Sequence, residues 1–309
     1  MHEGIPLHAD TLPERATATV NSRPTDYRLS TTDVFLRVHD VTKQFGSGCP
    51  RCTELTGPDH ETNACPVCGT ITACAGVSFE LAAGRTLGIV GESGSGKSTL
   101  LAVLYGDVAP TSGEAYLGTF AGGERSIFAA SSAERRGLRN FAMGIVYQHP
   151  QKGLNLRISA GGNVAERLMA VQWRRVSDIR DRAGGLLTRM EVPLGRMDDL
   201  PAFFSGGMQQ RVQIAKAVAT EPPLLLLDEP TSGLDVSVQA GVLDLIRELQ
   251  GQSGITLLIV SHDLGVIRLL TERTLVMKNG HVVESGLTDQ ILEDPQHPYT
   301  QLLVSSINP

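Results

Sequence analysis

The chain has 309 residues, 41% hydrophobic and 19% charged, with a formal net charge of −6. That length buries one large core or two modest ones, and the acidic balance argues against nucleic acid as a partner. No apolar run approaches the ~18 residues a membrane-spanning helix needs, and Met1-His2-Glu3-Gly4 lacks the basic-then-apolar start of a signal peptide. The expectation is a soluble, cytoplasmic protein without direct membrane insertion, which serves a membrane, if at all, through another subunit.

Residues 1–33 mix Pro, Thr, Arg, Glu and His with no apolar period, which predicts a flexible tail. Val34-Phe35-Leu36-Arg37-Val38 and Val41-Thr42-Lys43-Gln44-Phe45 read as two strands with a turn between them. Val77-Ser78-Phe79-Glu80-Leu81 alternates as a half-buried strand does. Together they predict an antiparallel β subdomain. Phe45 suits two roles, stacking on an adenine ring or packing at a sheet edge.

Between those strands, Cys49-Pro50-Arg51-Cys52 and Cys65-Pro66-Val67-Cys68-Gly69 stand twelve residues apart, in the spacing C-x2-C-x12-C-x2-C. Each pair can wrap two thiolates around one ion, with Pro and Gly turning the knuckle, and four thiolates suit tetrahedral Zn2+. A zinc-knuckle insertion is therefore expected over 46–72, with Cys49, Cys52, Cys65 and Cys68 as structural ligands. Two disulfides would need an oxidising compartment. An iron–sulfur cluster is the weaker rival, because paired knuckles at this spacing are those of zinc ribbons. Cys74 reads as a small buried side chain rather than a fifth ligand.

Thr86-Leu87-Gly88-Ile89-Val90 has the apolar run of a buried strand. It leads into Gly91-Glu92-Ser93-Gly94-Ser95-Gly96-Lys97-Ser98-Thr99, the spacing G-x4-G-K-[ST]. Glycines and small residues let the backbone cradle a polyphosphate with N–H donors. Lys97 is placed for the β- and γ-phosphates, and the Ser98 hydroxyl for Mg2+. The helix expected over 98–104 adds its N-terminal dipole. This loop implies that the chain binds a nucleoside triphosphate.

Ile145-Val146-Tyr147-Gln148-His149 reads as a short strand ending in polar residues, and 150–215 as a helical subdomain in which Trp173 packs. Phe204-Ser205-Gly206-Gly207-Met208-Gln209-Gln210-Arg211 opens an amphipathic helix whose N-terminus suits an anion. Leu224-Leu225-Leu226-Leu227 is what a strand buried on both faces requires, and it delivers Asp228 and Glu229 where α/β sheets place ligands. Asp228 is a candidate for the Mg2+ shell and Glu229 for polarising water. Val236 to Gln250 is predicted helical, with Val242, Leu245, Ile246 and Leu249 on one face and Asp244, Arg247 and Glu248 toward water. Ile255 to Val260 is a further core strand, and His262 after it reads as a γ-phosphate sensor.

Taken in order, these residues resemble an ATP-binding-cassette (ABC) ATPase over about 34–309. Phe45 resembles the adenine-stacking aromatic, Gly91 to Ser98 match Walker A, and Gln148 matches the Q-loop. Ser205-Gly206-Gly207 match the signature, Asp228 and Glu229 Walker B, Gly233-Leu234-Asp235 the D-loop, and His262 the switch histidine. Two departures stand out: Met208 replaces the usual signature glutamine, and Arg85 stands where Glu is common. The resemblance implies an α/β P-loop fold with a RecA-like core sheet, an antiparallel β subdomain and a helical subdomain. It also implies Mg2+-dependent ATP hydrolysis, with Glu229, His262 and Gln148 catalytic. Mg2+ would be held by Ser98, Gln148 and Asp228, and ATP by Phe45, residues 91–99, Ser205 to Met208 and Asp235. A second such subunit, in a homodimer or with a homologue, would complete each site.

Two subfamilies share the wider style. Phe204 to Met208 and His297-Pro298-Tyr299-Thr300 resemble oligopeptide, dipeptide and nickel importer ATPases, which usually carry a longer, cysteine-containing tail. A nearer resemblance is to the ATP-binding subunits of bacterial carbon–phosphorus lyase systems. It rests on Ser159 to Met169, Asp198 to Pro201, Phe203 to Arg211, Leu234 to Ala240, Val283 to Asp289 and Tyr299 to Ser306. That resemblance implies a soluble partner, the lyase core complex with its radical-SAM subunit, remodelled by ATP turnover during phosphonate breakdown. The alternatives are an importer motor with membrane permease partners, and a non-hydrolysing assembly factor that docks through the zinc knuckle.

Overall fold

In the computed structural model, which describes residues 34–306, the chain begins in β1 (Val34–Phe45). The tail expected over 1–33 lies outside the described residues. β1 pairs antiparallel with β2 (Ile71–Ala82) and with β4 (Ser112–Leu117), giving a three-stranded sheet in the order β2-β1-β4. The two strands and turn expected over 34–45 are one bulged strand. Its register with β2 shifts between Val38 and Val41, and Asp40 takes a φ of 51°. The extra residues let Phe35, Leu36, Val38 and Val41 all reach the core, which a straight strand forbids.

The second sheet has six strands in the order β5-β6-β7-β3-β8-β9. β3 (Thr86–Val90), β5 (Met143–Val146), β6 (Leu224–Asp228), β7 (Thr256–Val260) and β8 (Arg273–Lys278) run parallel. β9 (His281–Leu287) closes one edge antiparallel. β5 ends at Val146, so the expected strand to His149 is shorter, and Tyr147 and Gln148 lie past its C-terminal end.

Alternate residues of this sheet serve two cores, as a period of two demands. Leu224, Leu226, Leu258, Val260 and Ile89 face α1 (Lys97–Tyr105) and the three-stranded sheet. Leu225, Leu227, Leu257 and Ile259 face the other core. That core is built by α4 (Ala160–Ala170), α5 (Val176–Arg189), α6 (Gly206–Val218), α7 (Val236–Ser253) and α8 (Leu264–Leu270). Along α7, Val242, Leu245, Ile246 and Leu249 are buried while Asp244 and Arg247 are exposed, but Glu248, also expected toward water, is half-buried and paired with Arg189. Trp173 packs at the rim of the same core. Short helices α2 (Ser132–Gly137), α3 (Pro150–Gly153), α9 (Thr288–Glu293) and α10 (Pro298–Ser305) complete the described chain. Among the described residues, no helix is long and apolar enough to cross a membrane.

β6 lies between β5 and β7 and is buried on both faces, so its leucines are costly to shorten. Leu226 has no exposed surface, and Leu226→Ala is expected to lower unfolding free energy by about 2–5 kcal/mol, read from the denaturant midpoint. A shift under about 1 kcal/mol would mean that this core repacks around the gap.

Candidate nucleotide site and metal centre

At two of its glycines, the loop between β3 and α1 runs too close to neighbouring backbone to admit a side chain. A Cβ on Gly91 would sit 2.1 Å from the Met277 carbonyl oxygen, and one on Gly96 would sit 1.9 Å from that of Ala73. Their φ angles, +145° and +104°, are also ones that favour glycine. The tip formed by Glu92, Ser93 and Gly94 is exposed, while Gly91, Ser95 and Lys97 are buried. The Lys97 Nζ donates to the carbonyls of Gly91 and Glu92, each at 2.7 Å, and to Ser95 Oγ at 3.2 Å. Burial lowers the pKa of this ammonium, opposed by the charges of Glu229, Asp228 and Glu92. A polyphosphate offers the same donors stronger, charged acceptors.

Asp228 lies on the face of Leu224 and Leu226 and so points toward α1, where Ser98 Oγ donates to its Oδ1 at 2.9 Å. Burial pushes the Asp228 carboxyl above the usual range, against the Ser98 hydrogen bond. Glu229 is buried with φ at 51°, a left-handed conformation that costs a non-glycine residue about 1 kcal/mol or more. Its N–H donates to the Val260 carbonyl at 2.9 Å. Its Oε2 accepts from His262 Nδ1 at 2.8 Å, and that imidazole is otherwise exposed. The ends of three neighbouring strands, β6, β7 and β3, thus bring Lys97, Ser98, Asp228, Glu229 and His262 to one mouth.

The remaining predicted residues are placed elsewhere. Gln148 is exposed beyond β5. Ser205 caps α6 by accepting from the Met208 N–H at 3.3 Å, and Ser205 and Gly206 face solvent. Asp235 stands exposed at the N-cap of α7. Phe45 is exposed, with the Lys43 ammonium 4.8 Å from its ring centroid. Arg85 pairs with Glu272 through both carboxylate oxygens, at 3.2 and 3.1 Å.

Three residues to which the sequence assigned no role support these groups. The Gln213 side chain accepts from the Tyr147 N–H and donates to the Tyr147 carbonyl, both at 2.9 Å, just before Gln148. Gln213 also donates to Gln210 at 3.0 Å, and Gln210 donates to the Pro230 carbonyl at 3.4 Å. Both amides are buried, so α6 joins the segment before Gln148 to the segment after Glu229. Nothing marks these glutamines in one sequence beyond their being polar on a buried face of a helix. Tyr299, noted only as part of a C-terminal style, is buried and accepts the Glu92 N–H at 2.9 Å.

The Sγ atoms of Cys49, Cys52, Cys65 and Cys68 all lie within 4.8 Å of one another. Three of the separations are 3.7, 3.6 and 3.4 Å. A tetrahedral ion with Zn–S bonds of about 2.3 Å spaces its sulfurs by about 3.8 Å, so the four thiols fit one. The Cys49 N–H donates to Cys52 Sγ at 3.1 Å. Thr70 Oγ1 accepts from the Gly48 N–H at 3.0 Å and lies within hydrogen-bond distance of Cys68 Sγ, at 3.3 Å. Hydrogen bonds from the Thr70 hydroxyl, then from its backbone, bring Cys68 down to about 6. Cys74 is fully buried against Gly96, where burial pushes its thiol up to about 12, and it stands outside the cluster.

Residues 74–232 match the family described as ABC transporter. The chain belongs to the ABC ATPase family. Residues 283–309 match the oligopeptide/dipeptide transporter C-terminal region. The chain is 55% identical, over 231 residues, to PhnK of Escherichia coli K12, described as a phosphonates utilization ATP-binding protein. That alignment covers 75% of this chain and 90% of the relative. It is 38% identical over 240 residues to the oligopeptide transport ATP-binding protein OppF of Salmonella typhimurium, covering 77% of this chain and 70% of that one. The dimeric post-hydrolysis structure of the ATP-binding cassette MJ0796, bound to ADP and Pi, superposes with a TM-score of 0.69 at 28% identity. It covers 82% of this chain and 98% of the other. The ABC-type P-loop fold, with its mixed sheet and antiparallel subdomain, is therefore that of this chain.

A buried carboxylate with a raised pKa costs the empty protein stability. Its favourable contribution is complete below the unfolded-state pKa of about 3.9 and is lost as pH rises through the higher folded value. Asp228→Asn keeps the Ser98 acceptor and removes that titration. The variant is expected to melt higher than the parent at pH 7, with the gap closing toward pH 4, while binding Mg-nucleotide more weakly. Calorimetry across that range decides, and a variant that melts lower at pH 7 would contradict the assignment.

Proposed function

We propose that the chain is a Mg2+-dependent ATPase that pairs around ATP and drives a conformational change in the soluble carbon–phosphorus lyase complex during phosphonate breakdown. The observation that carries this reading is the 55% identity with PhnK, extending over 90% of that protein. Residues outside the common ATPase motifs, such as Ser159 to Met169 and Val283 to Asp289, favour the same subfamily. The site is assigned to the cytoplasm, and the partner to the lyase core that contains the radical-SAM subunit.

In this reading Lys97 and the amides of residues 91–99 hold the phosphates, and Ser98, Gln148 and Asp228 hold Mg2+. When held there, Mg2+ would supply charge neutralisation at the transferring phosphoryl group. Glu229, pre-aimed by its strained backbone and by His262, accepts the proton of the attacking water, and His262 senses the γ-phosphate. Phe45 stacks on adenine. Ser205, Gly206 and Asp235 face solvent, where with Gly207 and Met208 they complete the site of a second copy, and Gln148 links the metal to α4–α6. The four thiols carry a structural Zn2+, since no coordination position is left open.

A second reading, an importer motor, draws on the match of residues 283–309 to the oligopeptide/dipeptide transporter C-terminal region. Glu229→Gln is expected to retain ATP, lose turnover and hold its partner. Captured from its own host grown on a phosphonate, with ATP present, it should bring down soluble lyase subunits. Membrane permease subunits in their place would sink the lyase reading in favour of the importer.

The metal assignment has its own test. Protein purified under reducing conditions should carry about one zinc per chain by atomic emission. Protein free of zinc, or rich in iron and sulfide, would overturn it.

A further inference from the structure

The cysteine insertion does more than hang from the sheet: it touches the nucleotide loop. Asn63, half-buried and two residues before Cys65, donates its Nδ2 to the carbonyl of Gly94 at 3.3 Å. Gly94 is at the exposed tip of the phosphate loop with φ at 84°. Because a peptide unit is planar, holding that carbonyl sets the orientation of the Gly94–Ser95 unit among the amides that would face a phosphate. Asn63 is itself pinned. Its carbonyl accepts the Thr72 N–H at 2.7 Å, the Cys65 N–H donates to the Thr70 carbonyl at 2.8 Å, and Ala64 bridges to Ile71.

A second contact runs from the same insertion to the other side of the loop. Glu61 lies 3.8 Å from the Lys278 ammonium, which sits 5.1 Å from the Tyr299 ring centroid. The Tyr299 hydroxyl accepts the N–H of Glu92. The insertion itself has no apolar core. Between 46 and 70 the buried residues are Cys52, Thr56, Gly57, Cys65 and Thr70. Its shape therefore depends on what joins the four sulfurs.

We propose that the metal-held insertion is a clasp on the phosphate loop, with Asn63 as the positioning residue that carries the state of the four-cysteine site to Gly94. With the thiolates on one metal ion, Asn63 is held against the Gly94 carbonyl and the loop is ordered for nucleotide. With the metal gone, the 46–70 segment relaxes, the Gly94–Ser95 unit loses its outer anchor, and nucleotide binding weakens. The metal thereby sets affinity for a nucleoside triphosphate without touching it. The inference rests on the nucleotide-binding reading above.

The test measures the dissociation constant of N-methylanthraniloyl-ATP with Mg2+ for four species: parent and Asn63→Ala, each zinc-loaded and each stripped by chelator under reducing conditions and desalted. Metal content and melting temperature are followed alongside. Asn63→Ala is expected to keep its zinc and its melting temperature. It should bind nucleotide about threefold to tenfold more weakly, the scale of one neutral hydrogen bond. Stripping should weaken the parent by at least as much and leave Asn63→Ala nearly unchanged, a non-additivity that a merely structural role would not produce. Equal weakening of both on stripping would overturn Asn63 as the link, and unchanged affinity of zinc-loaded Asn63→Ala would overturn the clasp. The latter comparison needs no stripped protein, so it stands even if stripping unfolds the chain. Lys97→Ala separates the two readings. If that variant binds as the parent does, the nucleotide site is misassigned; if it alone loses binding, the site stands and the clasp falls.

Discussion

The structure depends on the passage of one loop between two carbonyl oxygens. Gly91 passes beneath Met277 of β8 and Gly96 beneath Ala73 of β2, each too close for a Cβ. β8 belongs to the parallel sheet and β2 to the antiparallel one, so the loop lies on the seam where the two sheets meet. The Gly280 N–H donates to the Ser95 carbonyl at 3.0 Å, and the Ala75 N–H to that of Gly280 at 2.9 Å. These bonds tie the β8–β9 hairpin and β2 to the same few residues. Widening either glycine would therefore part the sheets as well as close the anion cradle.

The second constraint is the burial of charge at the strand ends. Lys97, Asp228 and Glu229 are buried together, and Asp228 is raised while Lys97 is lowered, each chiefly by burial. Opposite charges nearby recover only part of that cost. Glu229 adds backbone strain at its positive φ. A core designed for stability alone would place none of these groups here. Their cost is consistent with a site preorganised for a polyanion and a divalent cation, which reverse the balance when they arrive.

Much of this was legible because it is written in short spacings. The glycines and Lys97 lie within one turn of chain, the leucines before Asp228 spell a buried strand, and four cysteines in two knuckles announce one cluster. What escaped the sequence is what joins distant segments. The bulge in β1 looks like a turn in the sequence because Asp40 interrupts the apolar alternation, and only its two partner strands show that pairing resumes. β5 was read too long because Tyr147 has strand character, yet the Gln213 amide takes both of its backbone groups. The bonds from Asn63 to Gly94 and from Tyr299 to Glu92 span 31 and 207 residues. No local pattern encodes them.

The insertion shows why these two kinds of information diverge. Twenty-five residues with almost no apolar side chain to bury cannot offset their ordering entropy by packing. Four metal–thiolate bonds can, because binding energy at such a site is folding energy. The cysteine spacing therefore reveals that the segment is ordered, but its use is decided by the polar residues displayed on it. Asn63 and Glu61 carry no motif, and they acquire meaning only because the turn that carries the four cysteines delivers Asn63 to Gly94 of the phosphate loop and Glu61 to Lys278. Because the insertion leaves β1 at its end, beside Phe45, it brings Asn63 to that loop without interrupting the pairing of β1 with β2.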